Sequence, residues 1–182
     1  LELNESIIKD GLFKGWDYCY LEGYLIANRI LFKKVIDTAK SNGCKVVLDL
    51  ASFNVVKDNR DFLNELMPQI DIVFANEEEA KALTQKSAEE SLHEIAENVE
   101  IAIVKIGKKG SLIKRGEEVV TIGCNKVDVV DTTGAGDMYA AGFLYGLING
   151  FALKKCGTIG NLLAESIIQV IGAKMDENSW KL

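Results

Sequence analysis

The stretch Lys45-Val46-Val47-Leu48-Asp49-Leu50 decides the fold of this chain. Its apolar residues follow one another instead of alternating with polar ones, which is typical of a strand buried on both faces of a sheet. Residues 71–74 and 101–104 repeat this pattern, and residues 17–21 give a shorter version of it. Such strands occur in parallel sheets that helices cover on both sides.

Helical patterns separate these strands. Residues 25–42 carry apolar side chains four positions apart, and Gly43 follows at the position where a glycine commonly ends a helix. Residues 61–67 predict a second helix that stops near Pro68, and Asn76 opens a third. The alternation predicts an α/β fold, a three-layer and mostly parallel sheet with helices on both faces.

The pattern changes in the second half of the chain. Residues 111–114 and 119–122 flank a short polar turn, which predicts a hairpin, and two helices are expected over residues 135–150 and 153–173. No repeat, low-complexity tract or linker divides the sequence. We therefore expect residues 1–182 to form a single domain.

The composition excludes several classes of function. With 182 residues, 48% of them hydrophobic, and a net charge of −6, the chain is typical of a soluble globular protein and lacks the basic excess of nucleic-acid binders. Four cysteines without a Cys-x-x-Cys pair and a single histidine argue against a zinc site. The apolar residues 140–153 are too few for a membrane span. We expect a cytoplasmic protein that binds neither nucleic acid nor membranes.

Polar residues follow three of the predicted strands. Asp49, the run Asn76-Glu77-Glu78-Glu79 and the run Gly107-Lys108-Lys109-Gly110 each come where a strand ends. Ligands of open α/β sheets bind beyond the carboxyl ends of the strands. The order of the elements alone therefore predicts a ligand site at this edge.

The run Asp131-Thr132-Thr133-Gly134-Ala135-Gly136-Asp137 carries the clearest chemistry. Its glycines leave backbone N–H groups unshielded at the start of a helix, where free amides and the helix dipole bind anions. Asp137 lies in the first turn and is placed to accept a proton from a hydroxyl nucleophile. A capped helix with an incidental Gly-Ala-Gly is the alternative, which the flanking aspartate and threonines disfavour.

Residues 131–142 resemble the signature of the ribokinase or PfkB family of carbohydrate and nucleoside kinases. Members of that family transfer the γ-phosphoryl group of ATP to an alcohol. The resemblance implies that Asp137 is the catalytic base and that the N–H groups of Gly134, Ala135 and Gly136 form the anion hole. This agrees with the general logic of phosphoryl transfer, which relies on positioning and electrostatic stabilisation.

Two further runs resemble motifs of this family. Asn76-Glu77-Glu78-Glu79 is similar to its Asn-x-x-Glu motif, which implies that Glu79 helps to hold Mg²⁺, through water, although an acidic helix start is also ordinary. The run from Lys105 to Gly110 resembles the nucleotide-contacting loop, although its glycines also suit a tight turn. The residues implied to contact ATP are Asn76, Lys105, Gly107, Lys108 and Gly110, with Asn161 near the adenine.

Asp131 and Thr133 match positions that form a monovalent-cation site in many members of the family, together with Ile167, Val170 and Gly172. The resemblance thus implies K⁺ as a further cofactor. Backbone carbonyls supply most of such a site, so side-chain identity says little about it.

The small-molecule acceptor is expected to be a sugar or a nucleoside. Many sugar kinases of the family carry Asp-x-Asn-x-Arg after the strand that corresponds to residues 45–50. This chain has Asp49-Leu50-Ala51-Ser52-Phe53-Asn54 instead. The altered motif favours a similarity to adenosine kinases.

Two other functions are alternatives to this one. A non-catalytic nucleotide-binding fragment of such a kinase would keep the ATP half of the site without the acceptor half. ATP binding without phosphotransfer would favour that alternative. A dinucleotide-binding oxidoreductase is disfavoured, because no Gly-x-Gly-x-x-Gly run follows the first strand.

The resemblance covers nearly all of the chain but only the later, larger part of the family fold. The N-terminal strands, the small β lid and much of the acceptor pocket have no counterpart in this sequence. We therefore expect the chain alone to have little or no kinase activity. An unpaired strand edge would favour aggregation or pairing, for example as a homodimer.

Overall fold

A computed structural model describes residues 4–173 of the chain. The strands are β1 (Tyr18–Glu22), β2 (Lys45–Asp49), β3 (Ile72–Asn76), β4 (Ile101–Lys105), β5 (Ser111–Arg115) and β6 (Glu118–Ile122). The α-helices are α1 (Arg29–Ser41), α2 (Phe53–Leu66), α3 (Glu77–Thr84), α4 (Ala88–Ile95), α5 (Ala135–Ile148) and α6 (Leu153–Ile167). The strands follow one another in sequence order in one sheet. These elements confirm the predicted α/β fold.

The first four strands are parallel. Tyr18 of β1 pairs with Lys45 of β2, and Ile72 of β3 pairs with Ile101 of β4. Neighbouring residues of a strand point to opposite faces of the sheet, so a run of buried neighbours means that both faces are covered. Val47 and the residues beside it in β2 are almost wholly buried, as are most residues of β3 and β4. The continuous apolar runs therefore became central strands, as predicted.

The described residues divide into two compact units. The first unit comprises residues 4–105 and Lys114–Glu118, and the second comprises Ile106–Ile113 and residues 119–173. In the first unit, α1 packs on β2, α2 packs against α3, and α3 and α4 pack on β4. Asn76 caps α3, so the carboxyl end of β3 leads directly into a helix N-terminus.

Helices α5 and α6 pack closely in the second unit because glycines line their contact. A Cβ atom added to Gly142 would come within 2.9 Å of the Ile159 carbonyl oxygen, and one added to Gly160 within 2.9 Å of the Tyr139 carbonyl oxygen. The hydroxyl of Tyr139 also lies 2.7 Å from that of Ser111. The glycine-rich apolar residues of α5 thus pack in a protein core. Among residues 4–173, no helix is long and apolar enough to cross a bilayer.

Helix α2 begins eight residues before the predicted start at position 61. Ser52 is its N-cap, and the Ser52 hydroxyl accepts the N–H of Val55 at 3.4 Å. The backbone leaves helical geometry at Asn59, with φ −126° and ψ 17°. The Asn59 side chain accepts a hydrogen bond from Arg29 at 2.8 Å. The polar run over residues 57–61 lies at this irregularity and separates the apolar positions 55–56 from those within 62–66, which explains why the pattern predicts only the second part.

Candidate active site

In the first unit, an ion pair joins the carboxyl ends of β2 and β4. Lys105 Nζ lies 3.1 Å from Asp49 Oδ2, and the two side chains are 17% and 9% exposed. The other Asp49 oxygen accepts the N–H of Ala51 at 3.0 Å. Lys105 was predicted to contact nucleotide, and here its ammonium group neutralises a buried carboxylate. Both residues lie at the ends of predicted strands in the sequence, but no local pattern predicts that they pair.

The Asn76-Glu79 pair forms a reciprocal cap on α3. Asn76 Oδ1 accepts the Glu79 N–H at 2.9 Å, while the Glu79 carboxylate accepts the Asn76 N–H and side-chain amide, both at 2.7 Å. Glu79 is only 3% exposed. Burial raises the pKa of its carboxyl group, and the Asn76 N–H and the charge of Lys105 oppose that rise. The side chain is thus fixed at the strand end, with one carboxylate available as an oxygen ligand.

In the second unit, the turn before α5 presents backbone N–H groups. Gly134 is the N-cap in a left-handed conformation, with φ 79° and ψ 0°. Ala135 donates its N–H to the Thr132 carbonyl at 3.2 Å. The N–H groups of Gly134, Gly136 and Asp137 have no hydrogen-bond partner among residues 4–173. Unpaired amides at a helix start make an anion site, and exposed Asp137 lies in the same turn.

Asp131 ties this turn to the chain beyond α6. Its Oδ1 accepts the N–H and hydroxyl of Thr133 at 2.9 and 2.7 Å, and its Oδ2 accepts the Gly172 N–H at 2.9 Å. These donors lower the pKa of the Asp131 carboxyl. The structure therefore brings the two residues predicted for a monovalent-cation site next to Gly172, which was predicted to complete it.

Helix α6 ends at Ile167, although the pattern predicts a helix to position 173. The carbonyl of Ile168 accepts the N–H groups of Val130 and Asp131 at 2.8 and 3.2 Å. These long-range hydrogen bonds draw the backbone away from helical pairing. The apolar spacing carries no sign of them, because the donors lie almost forty residues earlier in the chain.

The predicted nucleotide loop, residues 107–110, is a tight turn in the second unit. Ile106 donates its N–H to the Gly110 carbonyl at 2.8 Å, and Gly110 has φ 103°. A Cβ atom at Gly110 would overlap the Ile122 carbonyl oxygen at 1.7 Å. Only glycine fits this position. The side chain of Lys108, also predicted to contact nucleotide, is exposed.

Asn161, predicted to lie near adenine, is buried on α6 at 5% exposure. Its amide nitrogen donates to the Gly123 carbonyl at 2.9 Å. Its Oδ1 has no hydrogen-bond partner among residues 4–173 and can accept from a ligand. One turn later, buried Glu165 accepts two hydrogen bonds from Asn125, a pair without a local sequence signal because its members are forty positions apart.

Residues 3–180 match the pfkB family carbohydrate kinase model. The chain is 35% identical over 113 residues to an uncharacterized sugar kinase from Archaeoglobus fulgidus, covering 62% of this chain and 45% of that protein. It is 32% identical over 137 residues to a nucleoside kinase from Methanocaldococcus jannaschii, covering 72% and 45%.

A solved structure gives the same result for the fold. The crystal structure of adenosine kinase from Sinorhizobium meliloti superimposes with a TM-score of 0.88 at 35% identity, covering 95% of this chain and 55% of that one. The chain spans about half the length of these relatives.

Proposed function

The chain belongs to the pfkB family of carbohydrate kinases, and we propose that it carries the nucleotide-binding and catalytic residues of an ATP-dependent phosphotransferase. The acceptor is a hydroxyl group of a sugar or a nucleoside. The observation that carries this proposal is the turn before α5, where the N–H groups of Gly134 and Gly136 have no hydrogen-bond partner among residues 4–173 and Asp137 lies in the first helical turn.

In the proposed reaction, Asp137 takes the proton of the acceptor hydroxyl, and the oxygen so activated forms the new bond to phosphorus. The bond from phosphorus to the leaving phosphate oxygen breaks, and that oxygen keeps the electron pair. The N–H groups of Gly134, Ala135 and Gly136 stabilise negative charge on the transferred group. Ala135 contributes least to this stabilisation in the present conformation, because its N–H already donates a 3.2 Å hydrogen bond to the Thr132 carbonyl.

ATP supplies the phosphoryl group, and the second unit offers groups that fit a nucleotide. We assign Gly107, Lys108 and Gly110 to the phosphates or the ribose and Asn161 to the adenine, whose amino group can donate to Asn161 Oδ1, an oxygen without a partner in the described part of the chain. In this assignment Asp131 and Thr133 border a K⁺ site.

The first unit supplies a carboxylate that suits Mg²⁺. Magnesium prefers oxygen ligands and keeps several waters, and Glu79 is held rigidly while its two oxygens retain further acceptor capacity. We assign Glu79 to Mg²⁺ through water and Asn76 to the orientation of Glu79. Lys105 can contact the nucleotide only if its ammonium group leaves Asp49 or binds Asp49 and the nucleotide together.

The second candidate function is nucleotide binding without phosphotransfer. This candidate is favoured because the chain spans only about half the length of its relatives, so it carries only part of what those kinases contain. The nucleoside kinase and the adenosine kinase among those relatives support a nucleoside as acceptor, and the sugar kinase supports a sugar.

The test combines binding and turnover. Calorimetry with ATP and Mg²⁺ measures binding, and transfer of labelled γ-phosphate to a panel of sugars and nucleosides measures catalysis. Where transfer occurs, Asp137→Asn should reduce kcat by about 10²–10⁴-fold and leave the Kd for ATP nearly unchanged. Asp128→Asn, which alters another exposed aspartate of the segment before α5, is the matched control. Near-normal turnover in Asp137→Asn would exclude its role as base, and ATP binding without transfer to any acceptor would favour the second candidate.

A further inference from the structure

Two side chains of α6, one helical turn apart, hold the segment that follows β6. Asn161 donates to the Gly123 carbonyl at 2.9 Å. Glu165 accepts the main-chain N–H of Asn125 at 2.7 Å through one oxygen and the Asn125 side-chain amide at 2.9 Å through the other. Residues 123–125 are therefore fixed to α6 at both ends.

This segment packs directly against the backbone of residues 107–110. The backbone of Gly110 lies so close to the Ile122 carbonyl and to Gly123 that a Cβ atom would come within 1.7 Å of the first and 3.1 Å of the second. Cys124 Sγ lies 3.8 Å from the Gly107 carbonyl oxygen. A displacement of residues 123–125 would thus move the loop or leave a gap beneath it.

We propose that Glu165 and Asn125 form a positioning pair that holds residues 107–110 in the conformation that binds nucleotide. The inference rests on the proposed function, because it takes that loop to be the nucleotide contact. Neither residue is assigned a contact with the substrate. Their effect is on the affinity for nucleotide and not on the chemical step.

The chemistry of the pair explains its strength. Glu165 is 7% exposed, and a carboxylate at that depth is stable only when charged or polar donors replace its lost water. Asn125 supplies two N–H donors in a two-bond arrangement that fixes both position and orientation. Asn125 itself is exposed, so it can be replaced without opening a cavity.

Asn125→Asp is the disruptive variant, because it places a second carboxylate against that of Glu165. Glu165→Gln is the conservative one: its oxygen still accepts the main-chain N–H, and the Asn125 side-chain amide can turn over so that its oxygen accepts from the new glutamine amide N–H. The double variant Asn125→Asp with Glu165→Gln restores both hydrogen bonds. The glutamine oxygen accepts the main-chain N–H of residue 125, and the glutamine amide now donates to the aspartate carboxylate.

Calorimetry with ATP, well below the unfolding temperature, gives the decisive comparison. Asn125→Asp should weaken binding about tenfold, since a buried group that loses its partner costs about five- to 150-fold in an equilibrium constant. Glu165→Gln and the double variant should stay within about threefold of the unaltered chain. Lys126→Gln changes the local charge as Asn125→Asp does but leaves the pair intact, so it should bind ATP nearly normally.

Amide hydrogen exchange separates positioning from a general loss of stability. In Asn125→Asp, exchange should rise at residues 106–110 and 123–125 while α5 keeps its protection. An unaltered Kd in Asn125→Asp, or a double variant as weak as Asn125→Asp, would overturn the inference. Failure of the unaltered chain to bind ATP would instead overturn the proposed function, together with the nucleotide role assigned to the pair.

Discussion

Replacing Lys105 by methionine should lower the free energy of unfolding by about 3–5 kcal/mol, the usual cost of removing one partner from a buried ion pair. Lys105 Nζ is 3.1 Å from Asp49 Oδ2, and both side chains are largely buried. Methionine fills a similar volume but leaves the Asp49 carboxylate without a cation. That carboxylate also interacts unfavourably with Glu79, whose pKa it raises.

A second substitution should recover much of this loss. In Lys105→Met with Asp49→Asn, no buried charge remains at the pair, and the asparagine oxygen can still accept the Ala51 N–H. We expect the double variant to be more stable than Lys105→Met by about 2 kcal/mol, because replacing both members of a buried pair by neutral groups is often nearly neutral. The cycle therefore distinguishes loss of the pair from exposure of an uncompensated charge.

Lys45→Met is the matched control. Lys45 forms an even shorter ion pair, 2.6 Å from Glu100, but these side chains are 44% and 43% exposed. Water and salt screen such a pair, so its loss should cost no more than about 1 kcal/mol. Urea unfolding followed by circular dichroism at pH 7 measures all the variants. Equal losses in Lys105→Met and Lys45→Met, or additive losses in the double variant, would refute the reasoning.

Three further predictions concern backbone conformation and pH. Gly110→Ala should lower the free energy of unfolding by more than about 3 kcal/mol, because the new Cβ would overlap the Ile122 carbonyl. Gly116 has open space around it, so Gly116→Ala should cost only about 1 kcal/mol. The midpoints of urea unfolding measure both effects. Ala51→Gly should stabilise by about 0.5–1 kcal/mol, because Ala51 has φ 64°, and an unchanged midpoint would contradict this. Asp131 has a lowered pKa in the folded state, so its contribution is present above the ordinary aspartate pKa and is lost as pH falls through the lowered value. Asp131→Asn should therefore flatten the acid limb of stability against pH, and identical limbs would contradict the assignment.

The central strands could be predicted because their signal is local. Each of β2, β3 and β4 is a short apolar run, and burial on both faces follows directly from that pattern. The cap of α3 is also a local pattern, since Asn76 and Glu79 are three positions apart and form the reciprocal bonds that this spacing permits. In these strands and in this cap, the residues that determine the structure are only a few positions apart, so a short stretch of sequence contains the whole signal.

Interactions between distant residues could not be predicted in the same way. Asp49 and Lys105 are fifty-six positions apart, and Asn125 and Glu165 are forty apart. In the sequence, each of these four residues is only a polar residue near a strand end or on a helix. Their pairing depends on strand register and on the close approach of backbones, neither of which has a local signature. The early end of α6 has the same cause.

Glu79 illustrates why one short motif predicts two roles. A carboxylate at the start of a helix caps the free N–H groups, and the same carboxylate at the end of a parallel strand lies where ligands bind. Its two hydrogen bonds to Asn76 occupy one acceptor position on each oxygen and leave the others available. Burial raises its pKa, so the charged form is less favoured in the folded chain than in the unfolded one, and stability falls as pH rises from the ordinary glutamate pKa through the raised value. A bound divalent cation would favour the charged form. The cap therefore fixes in place a carboxylate whose buried charge a cation can stabilise, and the structural and functional interpretations of the motif support each other.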